Sequence, residues 1–310
     1  MSPLPPPSGP SQPYCYVSVL EAGFIDLPLH LFLSDSSIAQ DQKVTAPSLS
    51  FLIQHSTHPN KTFLFDLGIR KNWETYPPGV VKRIRMVYNE GINIPNDVCD
   101  SLAKGGLKPE DIKTVCVSHL HWDHIASAEP FKNATFLLGP ESKALLDAPP
   151  TESSVFANDL PPERIKFVPL DSESEAAVCR IGPFPKAYDL YGDGSLYIVD
   201  APGHVRGHVN VLVRTSSDGG WIYLAGDSGH HWALITGQAE IADTRNAHTH
   251  YPGFCAHEDK EKAREHIARI RELIERDEEG RVRVILAHDE QWFRENKGGS
   301  AFWPGKIESK

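Results

Sequence analysis

Cysteine is sparse in this 310-residue chain and forms no pattern. Cys15, Cys99, Cys116, Cys179 and Cys255 are odd in number, far apart and never spaced as C-x-x-C. That argues against a secreted disulfide framework and against thiolate zinc or redox motifs, and it favours reduced thiols in a cytoplasmic protein. Long apolar runs are also missing, so a membrane span is not expected. The first 13 residues hold six prolines but no basic stretch followed by an apolar one, so they read as a disordered or extended tail and not as a secretion signal. Positive charge is in deficit: the formal charge is −10 and the pI about 5.8. An acidic surface repels phosphate backbones, which disfavours a nucleic-acid partner. No Gly-x-Ser-x-Gly elbow occurs, so no serine nucleophile of that kind is available.

What remains is the composition of an ordinary globular chain, 40% hydrophobic and 23% charged, long enough to bury a core without staples. Tyr14–Leu20, Leu29–Leu33, Ser48–Ile53 and Thr62–Leu67 are rich in β-branched or aromatic residues and predict strands. Val80–Lys104 reads as helical, with a fresh start at Pro95-Asn96-Asp97 and a stop at Gly105-Gly106. Strands are expected at Lys113–Ser118 and Ala134–Leu138, then a short helix at Glu141–Leu146. The second half repeats the rhythm with strands at Ile165–Leu170, Leu196–Asp200, His208–Arg214, Trp221–Ala225 and Val282–Leu286. Its helix, Glu258–Arg276, carries an apolar stripe of Ala263, Ile267, Ile270 and Ile274. Two strand-rich halves, each closed by a helix, predict two packed sheets with helices outside, in one domain from residue 14 to residue 310.

One segment concentrates chemistry. His119 and His121 alternate at the end of a strand, and Asp123 and His124 open the helix that follows. Three imidazoles and a carboxylate within six residues exceed what a turn needs, so a metal site is the natural reading. Further candidate ligands follow later strands: His204 in a turn rich in glycine and proline, Asp227 after Trp221–Ala225, and His288 after Val282–Leu286. A titratable residue just past an apolar strand is displayed at a sheet edge. The seven together offer only nitrogen and oxygen donors, enough for two adjacent cations, zinc first and iron, manganese or cobalt next. The stretch Gly229–His257 holds five of the 15 histidines. It is long for a connection, and long connections are usually functional.

Residues 119–124, with His204, Asp227 and His288 in order, resemble the metallo-β-lactamase superfamily over residues 14 to 295. The resemblance implies an α+β fold, an αββα sandwich of two mixed sheets flanked by helices. It also implies that His119, His121 and His204 hold one metal, that Asp123, His124 and His288 hold the other, and that Asp227 bridges them. Phe65-Asp66-Leu67-Gly68 resembles the superfamily's early structural Asp-x-Gly, and His208 matches a supporting position. The run at 117–125, VSHLHWDHI, is similar to the N-acyl-homoserine-lactonase branch and to fungal γ-lactamases that open benzoxazolinone-type plant lactams. One departure is His230, three residues after Asp227, where the bacterial lactonases carry a tyrosine that contacts the substrate carbonyl. A neutral imidazole can still donate a hydrogen bond there.

The function expected from this is hydrolysis of a small cyclic ester or amide by water activated between two divalent metals, a lactonase or γ-lactamase acting on a xenobiotic of that kind. Asp123, Asp227 and His230 are the expected catalytic residues, with Asp123 as proton shuttle. His230, Trp232, Tyr251 and Phe254 are the expected substrate-pocket residues. A thioesterase or polyketide-releasing hydrolase of the same fold is the alternative. A mononuclear iron persulfide dioxygenase is a weaker one, because it leaves Asp123, His124 and His288 without a joint role, and a non-catalytic scaffold is weaker still.

Overall fold

Alternating large side chains draw the first long segment out into a strand, β1 (Cys15–Pro28), which pairs antiparallel with β3 (Lys43–His55). The computed structural model describes residues 4–35, 37–39, 41–88, 91–148, 156, 160–171, 178–244 and 254–310. Between those two strands lies the two-residue β2 (Leu33–Ser34), and after them come β4 (Thr62–Phe65), α1 (Pro78–Tyr88), β5 (Ile92–Asn93) and α2 (Val98–Ala103). Next are β6 (Thr114–Cys116), the single-turn α3 (Trp122–Ile125), β7 (Thr135–Leu138), α4 (Lys143–Leu146) and β8 (Ile165–Phe167). The remainder supplies β9 (Val178–Ile181), β10 (Phe184–Asp189), β11 (Leu196–Asp200), β12 (Val209–Arg214), β13 (Trp221–Leu224), α5 (Trp232–Thr236), β14 (Glu240–Ile241), α6 (Lys260–Glu275), β15 (Val282–Ile285) and α7 (Glu290–Asn296).

Among the described residues these strands form two mixed sheets, β5-β1-β3-β4-β6-β7-β8 and β15-β13-β12-β11-β10-β9, with β2 and β14 paired apart. Period-two alternation decides what packs where. Val17, Val19, Phe51, Ile53, Phe63 and Phe65 of the first sheet meet Leu196, Ile198, Val211, Val213 and Ile222 of the second in one buried cluster. The intervening side chains face outward onto helices: Leu52, Leu64 and Val115 belong with Val80, Ile84 and Leu102, and Val199, Leu212 and Tyr223 with Ile267, Ile270 and Leu273. Both faces of each sheet are therefore buried, which is the expected αββα sandwich. No helix among the described residues is long and apolar enough to cross a membrane.

Several expectations need correction. Leu29–Leu33 is not a strand, because β1 runs on to Pro28 and the chain then tightens into a 3-10 turn at Leu29–Leu31, where the Leu29 amide donates to the Gln42 carbonyl. Residues 4–13, expected as a disordered or extended tail, make contacts with the second half of the chain: Arg214 donates to the Pro5 carbonyl at 2.8 Å, and Gln12 donates to that of Asp193 at 2.8 Å. The stripe on α6 ends in Leu273, not Ile274, which is 39% exposed. At 100° per residue Ile274 keeps the angular direction of Ile267 and Ile270, but it is the last residue but one of α6. The β9–β10 hairpin and α7 carried no clear sequence signal. Arg180, Pro185 and Lys186 interrupt the apolar pattern of the hairpin, which lies at the edge of its sheet.

Close packing at one glycine fixes the approach of α6 to the second sheet. Gly203 has φ +129°, and a Cβ there would sit 2.2 Å from the Ala263 amide nitrogen on α6. Gly203→Ala is expected to cost about 1–3 kcal/mol from backbone strain, with the clash added to it. A urea midpoint equal to that of the unsubstituted chain would contradict this packing role.

Candidate metal centre

Parallel neighbours end at the same edge of a sheet. β4 and β6 run parallel in the first sheet, and β13 and β15 in the second. Asp66, His119, Asp227 and His288, each just past one of these strands, therefore reach a common rim. β11 points the same way as β13, since both are antiparallel to β12. That brings His204 to the rim as well. Backbone bonds tie the two sheets together here: the Val209 amide donates to the Ser118 carbonyl at 2.9 Å, and the Leu49 amide to the Ala287 carbonyl at 3.0 Å.

The expected ligands converge in two groups. His119 Nε2 lies 2.8 Å from His121 Nδ1 and 3.1 Å from His204 Nε2, and the last two nitrogens are 3.0 Å apart. Asp227 Oδ2 stands 3.5 Å from His204 Nε2 and 3.8 Å from His119 Nε2. Asp123, His124 and His288 form the second group, their donor atoms within 4.8 Å of one another. Asp227 Oδ1 is 3.3 Å from His124 Nε2 and 3.4 Å from His288 Nε2. One carboxylate thus turns one oxygen to each group.

The donor set fits divalent cations. Burial pushes His121 down to about 3 and holds His119 and His204 well below the usual imidazole range, so their lone pairs stay free to ligate. Burial works against charge on His124 and His288 too, but the Asp227 and Asp123 carboxylates outweigh it and keep both imidazoles above their usual value. His124 Nε2 and Asp227 Oδ1 are buried without a hydrogen-bond partner. Inward-facing donors, a buried carboxylate and no thiolate are what zinc or a similar ion requires.

A surrounding layer aims the ligands. His124 Nδ1 donates to Asp66 Oδ2 at 2.8 Å, and Asp66 also accepts from the Ser118 amide at 2.6 Å and the Ser118 hydroxyl at 2.8 Å. His288 Nδ1 donates to the Pro47 carbonyl at 2.8 Å, leaving Nε2 for the cluster. His208 donates from Nδ1 to Ala201 and accepts the Asp227 amide on Nε2, both at 3.1 Å. Burial lowers His208 to about 4, as an accepting imidazole needs. The contact depends on Gly226, where a Cβ would lie 2.9 Å from His208 Nε2.

A cavity of about 420 Å³ opens over the cluster. His230 and Phe254 line it, with His230 Nε2 3.2 Å from Asp227 Oδ2. Trp232 does not line it. His231 caps α5 by accepting the Ala233 amide, and the Trp232 indole donates instead to Asp289 Oδ2 at 2.8 Å. Tyr251 lies outside the described residues. Trp122 also lines the cavity, with Phe32, Tyr88 and Phe156; these last three were not anticipated, because they come from distant segments without a local motif. His257 was also missed as a site residue. Its ring packs 5.2 Å from that of His204 and 5.4 Å from that of His230, and the histidine density of 229–257 was the available signal.

Residues 45–254 match the family described as the metallo-beta-lactamase superfamily. The γ-lactamase FDB1 of Fusarium pseudograminearum is 36% identical over 198 residues, covering 61% of this chain and 47% of that protein. The N-acyl homoserine lactonase AttM of Rhizobium radiobacter is 27% identical over 63% of this chain and 70% of its own. A variant of AiiA from B. thuringiensis, with N-decanoyl-L-homoserine bound at its active site, superposes with a TM-score of 0.64 at 16% identity, covering 94% of this chain and 98% of that one. The chain spans about half the length of FDB1.

The Asp66 contact yields a test. Asn at 66 tolerates the backbone φ of 61° but puts an amide against one of the three donors that Asp66 accepts. Asp66→Asn should weaken zinc binding about 10- to 100-fold in chelator competition, the usual cost of losing an outer partner of a ligand. Unaltered zinc affinity would mean that Asp66 does not orient His124.

Proposed function

The chain belongs to the metallo-beta-lactamase superfamily, and on that premise we propose that it is a two-metal hydrolase that opens a small cyclic ester or amide. The observation that carries this reading is the Asp227 carboxylate set between two groups of donors on the floor of an aromatic-walled cavity. The volume suits a small ring, since ligand cavities run from roughly 300 to 1,000 Å³. His119, His121 and His204 would hold one cation, Asp123, His124 and His288 the other, and Asp227 would bridge them. Bound there, two such ions would lower the pKa of a shared water and polarise a carbonyl oxygen.

The side chains have separate tasks around that chemistry. Burial raises Asp123, and it faces His288 Nε2 at 3.5 Å, so it is placed to take and return a proton beside the cluster. His230 sits where a substrate oxygen would approach and can donate from its ring. Tyr88 reaches the same cavity from α1, and burial keeps its hydroxyl protonated and able to donate. Phe32, Phe156 and Phe254 offer flat apolar surface to a ring. A single-iron oxygenase would use only the first group, and the convergence of Asp123, His124 and His288 favours the two-metal reading. The γ-lactamase and lactonase relatives support a lactam or lactone substrate.

Turnover of γ-lactams and lactones by zinc-loaded protein, compared with thioesters, tests the reaction class, and preference for thioesters would reject it. Asp227→Ala should lose at least one metal and turnover by about 100-fold or more, with circular dichroism preserved, because Asp227 belongs to neither apolar cluster. Near-normal turnover with both metals retained would overturn the bridging role. Phe254→Ala should raise KM with metal content unchanged, whereas Trp232→Ala should act through the Asp289 contact and lower stability by about 1–3 kcal/mol. The reverse pattern would put the pocket wall in the wrong place.

A further inference from the structure

The cavity holds a cation that the proposed hydrolysis does not use. Arg83 on α1 is half-buried and lines the cavity with Tyr88. Its guanidinium lies 4.8 Å from the centroid of the Phe254 ring. The other arginine of the lining, Arg206, pairs with Glu258 at 2.8 Å. Among the described residues no carboxylate lies within ion-pair distance of Arg83, although the chain carries 41 acidic residues against 31 lysines and arginines. A guanidinium drawn partly out of water without an anion is unfavourable, and burial already pulls its pKa below the usual value. Stacking on an aromatic face offsets part of that loss and fixes the plane of the fork, leaving its N–H edges for a planar anion.

We propose that Arg83, held flat by Phe254, is a carboxylate-recognition subsite, so that the substrates of this cavity are ring compounds bearing a carboxylate. The proposal rests on the hydrolase reading, since it names the substrate class of the same cavity. The guanidinium would take both carboxylate oxygens on its N–H edge while the ring lies between the aromatic walls and presents its ester or amide to the cluster. A phosphate or sulfate substituent is less suited than a carboxylate, because one fork against one aromatic ring matches a planar anion with two oxygens.

The zinc-loaded 310-residue chain titrated calorimetrically with benzoate and with benzamide, the same ring with and without charge, is the direct test. Benzoate should bind the unsubstituted protein more tightly than benzamide. Arg83→Gln should reduce benzoate affinity about 10- to 100-fold and leave benzamide unchanged, in keeping with one charge-assisted contact. Arg83→Lys should recover part of the loss, keeping charge without the planar fork, and it serves as the second variant if Arg83→Gln folds poorly. Equal benzoate affinity with and without Arg83 would overturn the proposal, because the carboxylate would then sit on the cations. Equal loss of both probes would also overturn it, because Arg83 would then only support Phe254. Absence of benzoate binding to the unsubstituted protein would do the same. Zinc content measured on the same samples separates these results from a failure of the hydrolase reading, which would appear as protein unable to hold two zinc ions.

Discussion

Asp227 is a carboxylate held out of water among imidazoles, and the layout of the rim follows from that arrangement. Removing a carboxylate from water costs several kcal/mol unless positive charge and hydrogen bonds meet it. Its amide is fixed by His208, its oxygens face two separate donor groups, and the approach of His208 requires a residue without Cβ at 226. Such a group is tolerable only on a rigid frame, because a displacement of about 1 Å would leave it unpaired in a low-dielectric site. The two sheets supply that frame. Parallel strand pairs in each deliver their ends to one edge, and backbone bonds from Val209 and Leu49 lock those edges together.

The same logic explains which parts of the molecule the sequence discloses. His119, His121, Asp123 and His124 fall within six residues, so their joint chemistry is visible without knowing the fold. Strands buried on both faces, such as Leu196–Asp200 and Trp221–Leu224, are largely apolar runs and declare themselves. The β9–β10 hairpin, by contrast, has exposed positions at the edge of its sheet and loses the alternation that would mark it. The residues around the cluster were the hardest to find. Ser118 and Pro47 look ordinary in sequence, and their roles rest on hydrogen bonds to His119, His124 and His288 that only the folded chain creates. Trp232 was misplaced for a related reason: proximity to Asp227 along the chain says nothing about the direction imposed by the first turn of α5.

The chemistry and the selectivity of the site rest on different parts of the fold. Donor atoms stand at the ends of β6, β11, β13 and β15, where both sheets hold them. The cavity wall is assembled from β1 and, on connections or outer elements, from the segment containing Phe32, α1, Phe156 and Phe254. On the proposed reading, substitution in the wall should change what enters without disturbing the cluster, as when function is carried on loops over a rigid scaffold. This division accounts for a family in which similar rims serve different substrates, because the cost of altering a wall residue is local whereas the cost of altering a ligand is shared by every donor around it.

The exchange at position 230 shows how far this separation extends. The resemblance to the lactonases implies a tyrosine three residues after Asp227; here that place belongs to His230, and a tyrosine enters the same cavity from α1 as Tyr88. A phenol and an imidazole can each donate one hydrogen bond to a carbonyl oxygen, so the capacity to grip the substrate oxygen does not require a particular position in the chain. Their attachments differ in consequence. His230 is fixed to the cluster through Asp227 Oδ2 at 3.2 Å and packs at 4.6 Å on the Phe32 ring. Tyr88 packs against Trp122, whose carbonyl accepts the Tyr76 hydroxyl at 2.6 Å, so its placement depends on α1 and on the turn after His121. Tyr88 shares α1 with Arg83, and a shift of that helix would move both groups over the cluster together.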